Sequence, residues 1–100
     1  MSWAERAIKL LTDGEEAVIK PHGNSMKPKV ESGATVTLEP VEVADLEVGD
    51  IVLCKVKGNV YLHLVKALGD GRVQIGNNRG GINGWTRTVF GRAIKVEQPR

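Results

Sequence analysis

The sequence holds one cysteine, Cys54, in 100 residues, which excludes an internal disulfide and a thiolate metal cluster. Set in the apolar run Ile51-Val52-Leu53-Cys54, it reads as a small core hydrophobe, and a reducing compartment, the cytoplasm, is its natural home. Aromatic residues are also scarce: two Trp, one Tyr and one Phe. Stacking platforms for single-stranded nucleic acid need more rings, interleaved with Arg or Lys. Charge of one sign is missing too, since 14 basic residues face 12 acidic ones for a net charge of +2. That leaves only a faint basic footprint for a polyanion, and nucleic acid is not an expected partner. Apolar runs stop after a few residues, far short of the ~20 that span a bilayer, and the N-terminus lacks the charged-then-apolar order of a secretion signal. No transmembrane anchor, metal or cofactor is expected, and the mature chain is expected to begin where this sequence begins.

What is present is ordinary for a globular domain: 41% apolar and 26% charged residues, enough for one modest core. Ser2 followed by Glu5 reads as a capping box, and Asp13-Gly14 as a helix stop. Between them Trp3, Ala7, Leu10 and Leu11 recur at helical spacing, predicting a short helix whose apolar stripe packs on the rest of the chain.

After Gly14 the period changes to that of strands. Runs rich in Val, Ile, Leu and Thr predict strands near Ala17 to Lys20, Thr35 to Leu38, Ile51 to Lys57, Val60 to Ala67, Arg72 to Ile75 and Thr88 to Val96. Gly58-Asn59 and Gly69-Asp70-Gly71 read as hairpin connections, and the Asn- and Gly-rich stretch around Gly80-Gly81, with Asn83 and Gly84, reads as a loop. The expected fold is mainly β: a curled antiparallel sheet or partly open β-barrel with one short N-terminal helix, residues 1–14 forming the helix and 15–100 the β domain.

One loop invites chemistry. In Pro21-His22-Gly23-Asn24-Ser25-Met26-Lys27-Pro28, a glycine frees the backbone just before a serine and a proline fixes it soon after. A rigid turn of this kind can expose Oγ and aim successive backbone N–H groups at one point, as a nucleophile with an oxyanion hole requires. The same pattern also serves as a plain turn in which Ser bonds its own backbone.

Order along the chain adds to this. Gly23-Asn24-Ser25-Met26-Lys27-Pro28 is followed by Glu31-Ser32-Gly33-Ala34, Val48-Gly49-Asp50-Ile51-Val52, His63-Leu64-Val65, Gly76-Asn77-Asn78 and Val89-Phe90-Gly91-Arg92-Ala93. This succession, from Gly23 to about Val96, resembles the LexA-like and signal-peptidase-like serine peptidases. The resemblance implies Ser25 as nucleophile and His63 as general base, as in the Ser-His branch found in archaeal and endoplasmic-reticulum signal peptidases. An imidazole suits that task near neutral pH. Strand alternation turns Lys66 away from the face that carries His63, and Lys55 and Lys57 on the neighbouring strand are weaker candidates. His22 reads as a solvated loop residue beside the nucleophile.

By the same resemblance the oxyanion hole consists of the backbone N–H groups of Asn24 and Ser25, and substrate binds as an added strand. That places substrate near Gly23 and Met26 and along Val52, Cys54 and Lys55, with small residues beside the scissile bond. Where the Ser-His branch carries two aspartates, this sequence has Asn77 and Asn83. An Asn can orient an imidazole but cannot stabilise the imidazolium by charge, and Asp50 and Asp70 are the possible substitute acids. Gly33-Ala34 replaces the family's first Gly-Asp turn, a structural change.

Two functions follow. One is a serine endopeptidase that cleaves an extended segment of a protein partner, an accessory enzyme without a helix-turn-helix domain or anchor. The other is a weak or inactive relative that binds peptide by strand addition, which the two amides favour. A small nucleic-acid-binding barrel, resting on Arg72, Arg79, Arg87 and Arg92, stands behind both.

Overall fold

The computed structural model describes residues 3–100. One helix, α1 (Glu5–Thr12), precedes seven strands: β1 (Ala17–Ile19), β2 (Thr35–Pro40), β3 (Ile51–Val56), β4 (Asn59–Gly69), β5 (Arg72–Gly76), β6 (Ile82–Thr86) and β7 (Val89–Glu97). All seven are antiparallel members of one unclosed sheet, in the order β1-β2-β7-β3-β4-β5-β6.

Helix α1 starts with Ala4 at its N-cap and no side-chain cap; the expected cap, Ser2, lies outside the described residues. The stop falls where the sequence places it, with the Asp13 N–H donating to Lys9 and Leu10 and the Gly14 N–H to the Leu11 carbonyl. Ala4, Ala7 and Leu11 are buried, with Ile8 and Leu10 packed beside them. Trp3 departs from the expected stripe and stays 53% exposed.

Alternation along β3 divides the interior in two. Leu53 joins Val36, Leu38, Leu62, Leu64 and the helix on one side of the sheet, while Val52, Cys54 and Val56 join Val65, Val73 and Ile75 on the other. Each such fully buried aliphatic side chain stabilises the fold by ~1.5–3 kcal/mol. The second cluster sits inside a curl: the Lys55 N–H reaches the Thr88 carbonyl at 3.0 Å, and Thr86 Oγ1 donates to the Lys55 carbonyl at 2.6 Å. These bonds bring the end of β6 back to β3.

Three expectations need correction. Asn59 lies opposite Val56, so the β3–β4 turn is Lys57-Gly58, with Lys57 at φ +50°, one residue earlier than the Gly58-Asn59 reading. Residues 82–86 form β6, and the register shift between Ile75 and Gly76 shows why the alternation failed to reveal it: Asn83 is an extra residue bulged out of the ladder. Lastly, β3 is paired with β4 on one side and β7 on the other. Val52 and Cys54 are fully buried, so the stretch Val52 to Lys55 has no edge to offer a substrate.

Candidate active site

The 15-residue connection between β1 and β2 carries Ser25, and its own side chains hold it in shape. Gly23 turns at φ +126°, a conformation that disfavours any residue with a Cβ, and its N–H donates to Ser32 Oγ at 3.1 Å. Met26 and Val30 then drop into the core. From the other end of the chain, Gln98 Nε2 donates to the Lys29 and Pro28 carbonyls, and its Oε1 accepts from the Glu31 N–H.

A second clamp comes from the β5–β6 connection. The Asn78 N–H donates to the Ser25 carbonyl at 2.9 Å, and Asn78 Nδ2 donates to the Lys27 carbonyl at 2.8 Å. The backbone on both sides of Met26 is therefore fixed to the far hairpin. Among the described residues the N–H groups of Asn24 and Ser25 meet no acceptor, which leaves both donors free beside the serine hydroxyl.

His63 lies in the middle of β4, opposite Val52, and stacks on Tyr61 with ring centroids 4.8 Å apart. Its Nε2 is 3.2 Å from Ser25 Oγ, and its Nδ1 is 2.7 Å from Asn83 Oδ1. A carbonyl oxygen can only accept, so Nδ1 carries the proton and Nε2 of the neutral ring presents its lone pair to the serine hydroxyl. Burial pushes the His63 pKa below its ordinary 6.5, and the hydrogen bond to Asn83 offsets part of that shift. The ring is therefore neutral at pH 7, the state a general base requires.

No family model matches the sequence, and no curated protein matches it. The site stands on its geometry.

Of the four residues expected to orient the base, only Asn83 reaches the imidazole. Asn77 Oδ1 instead accepts from the N–H groups of Arg79 and Gly81, folding its own loop. Asp50 accepts from the Glu47 N–H and lies 3.7 Å from Arg92, while Asp70 is exposed in the turn between β4 and β5. Lys66 packs against Gly76. Burial pushes the Cys54 thiol up to about 12, which leaves it unreactive. Among the described residues no group of His, Cys, Asp and Glu converges as a set of metal ligands.

A cleft of about 380 Å³ opens beside Ser25 and His63, walled by Trp3, Met26, Val30, Val60 and Tyr61, with His22 also in its lining. Met26 and Gly23 thus border the cleft, whereas Val52 and Cys54 do not. Sequence reasoning assigned no role to Asn78 or Gln98, and it put Trp3 in the core instead of at the cleft. The two clamps join residues 51 or more positions apart, so no local pattern announces them.

Proposed function

We propose that this chain is a serine peptidase with a Ser25-His63 dyad oriented by Asn83, of the LexA-like and signal-peptidase-like kind. The observation that carries the reading is the relay in which Asn83 Oδ1, the imidazole and Ser25 Oγ are linked at 2.7 and 3.2 Å. In this mechanism Ser25 Oγ attacks the carbonyl carbon of the scissile bond while His63 Nε2 takes the hydroxyl proton. The oxyanion is held by the Asn24 and Ser25 N–H groups. Collapse of the tetrahedral intermediate breaks the C–N bond, and the imidazolium returns its proton to the leaving amine. Water, deprotonated by the same nitrogen, then hydrolyses the Ser25 ester and frees the enzyme.

The substrate is an extended segment of a protein, with side chains entering the apolar cleft. Cytoplasmic action fits the single buried thiol. Among the described residues no helix is long and apolar enough to cross a membrane. One observation favours a second reading, a peptide-binding relative with weak catalysis: the orienting group is an amide, which supplies direction without negative charge.

Labelling by a fluorophosphonate probe, run beside cleavage of a peptide library, separates the two readings. Wild type that labels and cleaves, with both signals lost in Ser25→Ala and His63→Ala, is the expected result. Equal residual activity in all three proteins overturns the dyad.

A further inference from the structure

The ionisable side chains are divided unevenly. Residues 1–50 hold ten acidic and five basic residues, and residues 51–100 hold two acidic and nine basic. The near-zero net charge conceals this division. Lys55, Lys57, Lys66, Arg72, Arg79 and Arg87 all lie on β3 to β6 or their connections, with Asp70 the one acid among them. Among the described residues the ion pairs involve Lys27, Arg92 and Lys95, and none of those six cations.

Three of the six converge on one face. Val73 and Ile75 of β5 point into the core, so Arg72, Gln74 and Gly76 point outward. Across the ladder Trp85 lies opposite Gln74, and Ile82 opposite Gly76. Lys66 Cε and Ile82 Cδ1 crowd the outer flank of Gly76, the Trp85 ring covers Gly69, and Arg87 Nε lies over Gly71. The Arg72 guanidinium sits 5.3 Å from the Trp85 ring centroid. Ile82 and Trp85, 53% and 41% exposed, thus lie among Lys66, Arg72 and Arg87 on the last strand of the sheet order, which is laddered only to β5 and bonded to Lys55 of β3 at its Thr86 end.

We infer that this face docks an extended acidic polypeptide segment bearing apolar side chains, laid alongside β6. Charge complementarity identifies the partner as anionic, and the two exposed apolar side chains narrow its class. Nucleic-acid phosphates would use the cations and leave Ile82 in water. An anionic bilayer would meet the unladdered main-chain edge at the start of β6, which hydrocarbon cannot satisfy. A polypeptide satisfies all three features: carboxylates for the cations, apolar side chains for Ile82 and Trp85, and backbone partners for the edge. The site makes no use of Ser25, and its inward neighbour on the same strand is Asn83.

The test is a fluorescence titration in Trp3→Phe, which leaves Trp85 as the only tryptophan. The titrant is a labelled synthetic peptide of mixed Glu and Leu, read by Trp85 emission and label anisotropy. Saturable binding that weakens with added salt, persists in Ser25→Ala and falls about fivefold in Arg72→Ala/Arg87→Ala is the expected result. Lys95→Ala, on β7, serves as a charge control and leaves affinity unchanged. The inference is overturned if the Arg double variant binds as wild type does, or if a Lys/Leu peptide binds equally well. Tighter binding by oligothymidylate or by phosphatidylserine-containing vesicles overturns it also. Because the readout is binding in a Ser25-independent assay, its failure leaves the dyad untouched, and a failed dyad leaves it untouched in turn.

Discussion

Asn83 Oδ1 accepts from His63 Nδ1 at 2.7 Å, and that one contact sets the direction of the whole relay. With the proton fixed on Nδ1, the lone pair that faces Ser25 Oγ at 3.2 Å is on Nε2. Had the amide presented its NH₂ group instead, the ring would hold its proton on Nε2 and could not act as base. The amide does half of what a carboxylate would do: it selects the tautomer and leaves the imidazolium without a counter-charge.

Substitution at this position separates the two halves. Asn83→Asp adds a negative charge beside the ring, and it is expected to raise kcat/KM while moving the acid limb of its pH profile up by about one to three units. Asn83→Leu removes tautomer selection and is expected to lower kcat/KM by about 10²-fold or more. A profile whose acid limb stays in place in Asn83→Asp would show that the residue supports the fold and not the base.

The wild-type pH dependence has a definite sign. Burial lowers the folded-state pKa of His63 below 6.5, so activity is expected to hold down to about that pH and fall only below it. Stability follows the same group. Below 6.5 the unfolded chain takes up a proton that the folded ring resists, so stability declines as pH falls until the folded ring protonates as well. Denaturant midpoints measured from pH 7.5 downwards should show this slope in wild type and lack it in His63→Gln, while NMR titration of the His63 ring gives the midpoint directly.

What the sequence made legible depended on whether the information was local. Strands such as β3 and β4 declare themselves by alternation, and the loop around Ser25 by its Gly and Pro. The face of Lys66 was not legible from alternation alone, because Lys66 is the extra residue bulged out of the β4–β5 ladder. The strand β6 stayed hidden because Asn83 is bulged and Gly84 follows it, so that composition argued for a loop. Choosing among Asn77, Asn83, Asp50 and Asp70 required the β5–β6 register, which no single segment encodes. The buried position of β3 depends on β7 inserting between β2 and β3, a non-sequential pairing, whereas the expectation of substrate along Val52 to Lys55 rested on the family resemblance.

The clamp on the nucleophile loop yields a further prediction. Asn78→Ala keeps the backbone bond to Ser25 but leaves the Lys27 carbonyl unpartnered, at an expected cost of about 1–2 kcal/mol. Asn78→Asp is expected to match it, because a carboxylate cannot donate to that carbonyl. Chemical denaturation measures the stability, and the rate of fluorophosphonate labelling reports whether Ser25 has lost its position. Unaltered stability in both variants would remove the clamp from the account.

Gly76 tests how firmly the bulged strand supports the site. A Cβ at this position would lie 2.5 Å from the Gly81 carbonyl oxygen and 3.0 Å from both Ile82 Cδ1 and Lys66 Cε. The first contact is with backbone, so Gly76→Ala cannot be absorbed by a side-chain rotation and must push β6 away from β5. The expected outcome is a loss of about 1–3 kcal/mol in stability. Because β6 carries Asn83, slower labelling of Ser25 should accompany that loss. The companion variant Gly80→Ala is strained by its φ of +90° but meets no atom within 4 Å. It is therefore expected to lose stability without shifting Asn83, and its labelling rate should stay at the wild-type level. Equal slowing in both variants would mean that general destabilisation, and not the spacing of β5 and β6, governs the relay.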